Sequence, residues 1–346
     1  MAAIARELLL ALPKAELHCH LDGSVRPQTL IELAAERGIT LPAHTALGLS
    51  EYMLVRNAQS LEDYLTRFSV TLSVMQDAAS LERIARELVI DSSREGVHYI
   101  EIRYSPVLNT QEGLSLDEAV EAPLRGIAAG TFETGTSARL IICALRHLEP
   151  AVSSELARLA VAYRHRGVVG FDLAGGEKGH PATEHIESFA YARAHDLAVT
   201  VHAGEGDGAD SVRQAVHVCG ANRIGHATRL FEDVSLSHYV NDRRIALEIC
   251  LTSNVQTRAA ASYVTHPLRA YFDQGHKVTL NTDNRLMSGV TLTDEYAHAA
   301  ASLGFTLAEL ATVARNGFES SFASWQDRTK MLDAFDRDVP AILARA

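Results

Sequence analysis

The sequence predicts an α/β fold, a (β/α)8 TIM-type barrel with a helical insertion after its first strand. Three observations lead there. Short apolar, β-branched runs alternate with longer stretches of helical period from end to end, the pattern of repeated βα units around a buried parallel sheet. About eight such runs occur in the 346 residues, the number a closed barrel requires. Polar residues capable of chemistry stand at the C-terminal ends of several runs, where barrels keep their active sites.

Taken in order, the first strand is predicted over Ala15 to His20, entered through Pro13-Lys14. An unusually long stretch, about residues 24 to 96, separates it from the second, with helical period around Ser60 to Met75 and again over Ser80 to Ser93. An insertion after a barrel strand overlies the active-site mouth, so this segment is expected to form a lid. His98 to Tyr104, Leu140 to Leu145 and Val168 to Leu173 supply strands two to four, with an outer amphipathic helix over Ser154 to Arg164. Ala198 to His202, Arg223 to His226, Ala246 to Leu251 and Val278 to Asn281 complete the set, with His185 to His195 and Asp210 to Val218 as further helices.

No Pro/Gly/Ser-rich stretch or charge block divides the chain, so residues 1-346 are expected to form one domain. The formal net charge of -11 argues against nucleic acid as a partner, because phosphate binding rests on clustered Lys and Arg. No run approaches the roughly 18 apolar residues of a membrane span. The apolar run Leu8 to Leu12 is short, adjoins Glu7 and leads into the first strand rather than a cleavage site, so a cytoplasmic location is expected. Cys19, Cys143, Cys219 and Cys250 form no C-x-x-C pair and fit reduced thiols, with Cys19 a packing residue.

The first strand ends His18-Cys19-His20-Leu21-Asp22-Gly23. Side chains at i and i+2 of a strand share a face, so His18 and His20 can bind one metal ion if partners exist elsewhere. Partners stand at other strand ends: His202-Ala203-Gly204-Glu205, Gly225-His226 and Asn281-Thr282-Asp283-Asn284. His18, His20, His202 and Asp283 are three imidazoles and a carboxylate, a natural set for one Zn²⁺ with a position left open. A catalytic zinc lowers the pKa of water to about 7, and the site then needs proton-transfer groups. Glu205 and His226 are the candidates. His98, His147, His165, His195, His217 and His238 are expected to be structural or solvated, and His266 and His276 receive no role.

This order of motifs resembles the adenosine deaminase family of the amidohydrolase superfamily over nearly the whole chain. Besides the blocks above, the resemblance runs through Tyr99-Ile100-Glu101-Ile102-Arg103-Tyr104-Ser105-Pro106, Gly170-Phe171-Asp172-Leu173-Ala174-Gly175-Gly176-Glu177 and Cys250-Leu251-Thr252-Ser253-Asn254. It implies that His18, His20, His202 and Asp283 hold one zinc. Hydroxide then attacks C6 of an aminopurine with help from His226, while Glu205 protonates N1 and ammonia leaves. It further implies that the Gly175 N–H meets purine N3, that Asp22 binds the ribose 5′-hydroxyl, and that Asn284 faces N7. Leu61, Tyr64 and Leu65 match the apolar face of the family's gating helix.

Two departures from the family pattern bear on the site. Many members carry aspartate where Asn284 stands and glycine where Ala227 stands. Purine N7 only accepts hydrogen bonds, and a carboxamide donates without needing a proton first. Binuclear relatives place a bridging lysine at the end of the fourth strand; here that strand ends Asp172-Leu173-Ala174-Gly175, so a single metal is expected. The implied activity is zinc-dependent hydrolytic deamination of adenosine and 2′-deoxyadenosine, a small-molecule nucleoside chemistry. Adenine or 6-aminodeoxyfutalosine is the alternative substrate. Adenine deaminases tend to carry glutamate at the position of Asp22, which favours a nucleoside.

Overall fold

Eight parallel strands pair strictly in chain order in the computed structural model, which describes residues 4–55, 58 and 60–345, apart from the side chain of Glu62. They are β1 (Lys14–His20), β2 (Val97–Tyr104), β3 (Ser137–Leu145), β4 (Val168–Ala174), β5 (Ala198–Ala203), β6 (Arg223–His226), β7 (Ala246–Ile249) and β8 (Val278–Leu280). Each predicted run is one of these strands. Residues 1–3, 56, 57, 59 and 346 of the expected domain and insertion lie outside the described residues.

The ring closes just beyond β8. Asp283 N–H donates to His18 carbonyl at 2.9 Å and His20 N–H donates to Asp283 carbonyl at 2.7 Å. One step earlier, Leu17 N–H donates to Asn281 Oδ1 at 2.8 Å, while Asn281 N–H donates to the Ile249 carbonyl at 2.9 Å. Asn281 therefore stitches β1, β7 and the end of β8 together. The helix Leu307–Ser320 packs over this seam, where a side chain on Gly317 would come within 3.1 Å of the Ala15 carbonyl.

The predicted outer helices are present as Ala78–Ser93, Pro150–Ala162, Ile186–Ala194 and Ala209–His217. The period around Ser60 to Met75 suggested one helix, and the structure has two short ones, Leu61–Leu65 and Phe68–Leu72. Hydroxyls explain the break: Thr66, Ser69, Thr71 and Ser73 each donate to a carbonyl three residues back, competing with regular helix bonding. The 24 to 96 insertion also holds Pro27–Arg37, Ala46–Met53 and Ala78–Ser93, the last being the barrel helix between β1 and β2. Among elements not foreseen, Leu116–Thr134 is hidden by its internal Pro123, Gly126 and Gly130, although its Ser115/Glu118 capping box is legible. No helix of the described residues is long and apolar enough to cross a membrane.

Replacing Asn281 with Ala strands the buried Leu17 N–H. A loss of about 1–3 kcal/mol in unfolding free energy is expected, read as a lower denaturant midpoint with unchanged slope. An unchanged midpoint would show that the seam does not depend on this side chain.

Candidate active site

Four imidazoles and one carboxylate converge at the C-terminal mouth of the barrel. His18 and His20 come from β1, His202 from β5, His226 from the end of β6, and Asp283 from the turn after β8. His226, Ala227 and Asp283 have φ of 64°, 53° and 60°, left-handed values that non-glycine residues adopt only when their surroundings enforce them. The bend turns each strand end into the mouth, and it accounts for the family's glycine at position 227. Gly225 supplies clearance, because a Cβ there would sit 3.0 Å from Cε1 of His18.

One donor atom from each of His18, His202, His226 and Asp283 lies within 4.8 Å of the others. This set contains His226, which was expected to move protons, in place of His20. His20 stands at the same hub, its Nε2 3.1 Å from His202 Nε2 and 3.3 Å from Asp283 Oδ1. His18 Nε2 is 3.4 Å from Asp283 Oδ1 and is a buried nitrogen with no hydrogen-bond partner. Ligands about 2.0 Å from a tetrahedral ion are roughly 3.3 Å apart, so these separations and the orphaned nitrogen suit a metal ion. Burial holds the imidazoles of His20, His202 and His226 below the ordinary histidine range. Burial would do the opposite to Asp283, yet the His18 and His20 imidazoles keep its carboxyl well below the carboxylate range. Ser253 Oγ donates to Asp283 Oδ2 at 2.6 Å.

Behind the imidazoles lies a charged layer inside the barrel. His18 Nδ1 is 2.8 Å from Glu248 Oε2, and His202 Nδ1 is 3.1 Å from Asp172 Oδ2. Arg103 on β2 bridges those two carboxylates with 2.9 Å contacts to each, and Arg223 on β6 joins Glu248 to Glu101. Against the cost of burial, His202 and Arg103 keep Asp172, and Arg103 and Arg223 keep Glu248, well below the carboxylate range. With Asp283, the connected network has four carboxylates and two guanidiniums, an imbalance that a divalent cation would offset. A carboxylate on Nδ1 fixes each imidazole so that its Nε2 would be free to hold a metal ion. Asp172, Glu248, Glu101 and Arg103 were not singled out beforehand, though an ionisable residue inside an apolar strand is a legible signal of such a layer.

Glu205 follows β5. Its Oε1 accepts from Thr257 Oγ1 at 3.0 Å and its Oε2 lies 3.4 Å from His226 Nε2. The turn that carries it is pinned by Glu177, whose carboxylate accepts the N–H groups of Gly204, Glu205, Gly206 and Asp207 at 2.7, 3.0, 2.6 and 3.1 Å. His226 Nδ1 in turn meets Asn254 Nδ2 at 2.9 Å.

A cavity of about 360 Å³ opens above these groups, within the range of small-ligand pockets. Asp22, Gly175, Asn284, Leu61, Tyr64 and Leu65, the expected substrate contacts, all line it. Phe68, Leu72, Leu108 and Leu145 extend its apolar wall. Burial pushes the Asp22 carboxyl up to about 7, and Asp22 Oδ1 and Asn284 Oδ1 are buried without partners. Asn284 packs so closely on Gly23 that a Cβ there would lie 1.9 Å from its Oδ1. Tyr64 OH meets Ser288 Oγ at 3.2 Å, tying Leu61–Leu65 to the segment after β8. His147, expected to be structural or solvated, stands past the end of β3 and lines the cavity.

A parallel eightfold barrel with a buried His/Asp metal cluster at its C-terminal mouth is the architecture of a metal-dependent amidohydrolase. Residues 13–338 match the family model described as adenosine deaminase, and the chain belongs to that family. An adenosine deaminase of Clostridium acetobutylicum is 38% identical over 332 residues, covering 96% of this chain and 99% of that protein. A probable adenosine deaminase of Dictyostelium discoideum is 41% identical over 92% of this chain, which spans only 42% of that longer protein. Among solved structures, the adenine deaminase of Arthrobacter aurescens superposes with TM-score 0.89 at 28% identity, covering 95% of this chain and 100% of that one. The N6-mAMP deaminase of Arabidopsis superposes with TM-score 0.86 at 29% identity, covering 96% and 99%.

Arg103→Met leaves Asp172 and Glu248 buried without their shared cation. A loss of about 3–5 kcal/mol in unfolding free energy is expected by denaturant titration. A loss below about 1 kcal/mol would show that the layer does not depend on the guanidinium.

Proposed function

We propose that the protein hydrolyses adenosine and 2′-deoxyadenosine to inosine and 2′-deoxyinosine, releasing ammonia. The observation that carries this is one cavity holding the metal-donor cluster, the Glu205–His226 pair and an unpartnered carboxylate oxygen on Asp22. A single zinc ion held by His18, His20, His202 and Asp283 would supply Lewis acidity that makes water usable as hydroxide near neutral pH. Glu205 gives a proton to purine N1 as the water oxygen bonds to C6, and His226 assists that attack from the facing side. The new C6 hydroxyl then gives its proton to the amino nitrogen, the C6–N bond breaks, ammonia leaves with the 6-oxo group formed, and the proton given up by the attacking water restores Glu205. The Gly175 N–H would meet N3, Asn284 would donate to N7 and Asp22 would accept from the ribose 5′-hydroxyl. Leu61, Tyr64 and Leu65 would cover the bound nucleoside, the gate belonging to the 24–96 insertion of a single-domain barrel.

A nucleoside is favoured over a nucleotide because no Lys or Arg is among the described residues lining the cavity, so a phosphate would enter without a counter-charge. The Arabidopsis neighbour, by its name, acts on a nucleotide. The same lining weighs against 6-aminodeoxyfutalosine, whose benzoate also needs a cation, and free adenine would leave Asp22 without its hydroxyl. We place the enzyme in the cytoplasm, in keeping with four buried free thiols.

Ammonia release by zinc-loaded protein should show kcat/KM highest for adenosine and 2′-deoxyadenosine, with adenine, AMP and 6-aminodeoxyfutalosine far behind. Preference for any of the last three would overturn the substrate assignment. Glu205→Gln should bind substrate with little change in KM yet lose about 10²–10⁴ in kcat, since it removes a proton transfer made in the transition state. Near-parental kcat would refute its role. Asn284→Asp should stay active at low pH, where the acid form can donate to N7, and lose activity as pH rises through its pKa; an unchanged pH profile would remove the N7 contact.

A further inference from the structure

His226 ends a chain of three buried side chains whose hydrogen-bond directions are dictated from the far end. Leu268 is the first residue of the helix Leu268–Asp273, and its N–H donates to His266 Nδ1 at 3.0 Å. A neutral imidazole that accepts at Nδ1 carries its proton on Nε2. Burial holds His266 at about 3, so this ring stays neutral. His266 Nε2 lies 3.2 Å from Asn254 Oδ1, which must therefore accept. The carboxamide is thereby oriented with its NH2 group toward His226, Nδ2 to Nδ1 2.9 Å. His226 Nδ1 accepts, so the His226 proton sits on Nε2, facing Glu205. His226, Asn254 and His266 are 1%, 0% and 3% exposed, so the chain is screened from bulk solvent.

We infer that Asn254 and His266 are positioning residues that hold His226 as its Nε2–H tautomer, making it a hydrogen-bond donor into the cavity and excluding it from the metal ligands. Such a tautomer leaves His18, His20, His202 and Asp283 as the four of the five converging donors able to bind a metal ion. His18 and His202 are backed by carboxylates, Glu248 and Asp172, which take Nδ1–H and expose a lone pair at Nε2. His226 is backed by a carboxamide N–H, which does the reverse. Without that backing, a lone pair on His226 Nε2 would stand among His18, His202 and Asp283, in the place His20 is needed to fill. The catalytic consequence rests on the deaminase reading; the tautomer itself rests on the backbone N–H of Leu268 and needs no assumption about activity.

Nitrogen-15 NMR of histidine-labelled protein, metal-loaded and metal-free, tests this directly, with His226 assigned by the signal lost in His226→Gln. The expected spectrum has His226 protonated at Nε2 and unprotonated at Nδ1 in both forms. Protonation at Nδ1 in the parent overturns the inference, whatever any variant does. Asn254→Asp, nearly isosteric but unable to donate, should move the proton to Nδ1 and lower kcat about tenfold to hundredfold, with KM within about threefold. His266→Gln keeps an N–H for Asn254 and should retain the parental tautomer and kcat, whereas His266→Phe should lose both. An Asn254→Asp protein with parental tautomer and kcat, or equal behaviour of the two His266 variants, would overturn the relay. The expected tautomer in a protein that turns over no aminopurine would instead sink the deaminase reading and leave the relay standing.

Discussion

The orientation of the His18 and His202 imidazoles at the mouth of this barrel depends on one buried guanidinium. Arg103, fully enclosed, touches Asp172 and Glu248 at once, and those two carboxylates hold the Nδ1 atoms of His202 and His18. Carboxylates are tolerated in a dry interior only when paired and hydrogen-bonded. Removing the cation would leave β4 and β7 with like charges facing each other and the two imidazoles without fixed orientation. Such an arrangement contributes little net stability compared with an apolar core of the same volume. Its return is geometric: a rigid layer that aims lone pairs at one point and leaves a charge deficit that a divalent ion offsets.

Around that layer, the site sorts its histidines by what stands behind them. Carboxylate backing exposes a lone pair; carboxamide backing exposes a proton. The same strand-end geometry thus supports ligands and a donor within a few ångströms, and the left-handed φ values at His226 and Asp283 show backbone conformation being enforced to bring them there. Glu177 does the equivalent for Glu205 by collecting four consecutive backbone N–H groups, so the proposed proton donor rides on a loop with little freedom. The cavity above has a polar floor and an apolar roof, with cations missing from its described lining.

Much of this was legible in the sequence. Parallel strands buried on both faces read as continuous apolar runs, so all eight could be located, and His18, His20, His202, Glu205, His226 and Asp283 stood out because polar residues ended those runs. The second layer was harder to see because its pairs are distant in sequence: Arg103 and Glu248 are 145 residues apart, and only barrel closure brings them together. His266 gave no signal for the same reason, its role residing in a carboxamide twelve positions away and a helix start two positions on. The lid's period was misleading because Thr66, Ser69, Thr71 and Ser73 fit a helical repeat while their hydroxyls compete with its bonding. His147 reads as structural or solvated because it sits in a turn two residues past the end of β3, with no neighbouring motif to mark it as part of the mouth.

Deamination of adenosine should require a metal held by the histidine and aspartate cluster. The most direct measurement is ammonia release from adenosine before chelation, after chelator dialysis and after adding back one equivalent of zinc, with metal content followed by elemental analysis. Turnover should fall with metal content and return at one zinc per chain. Full turnover by protein shown to be free of metal would contradict this requirement.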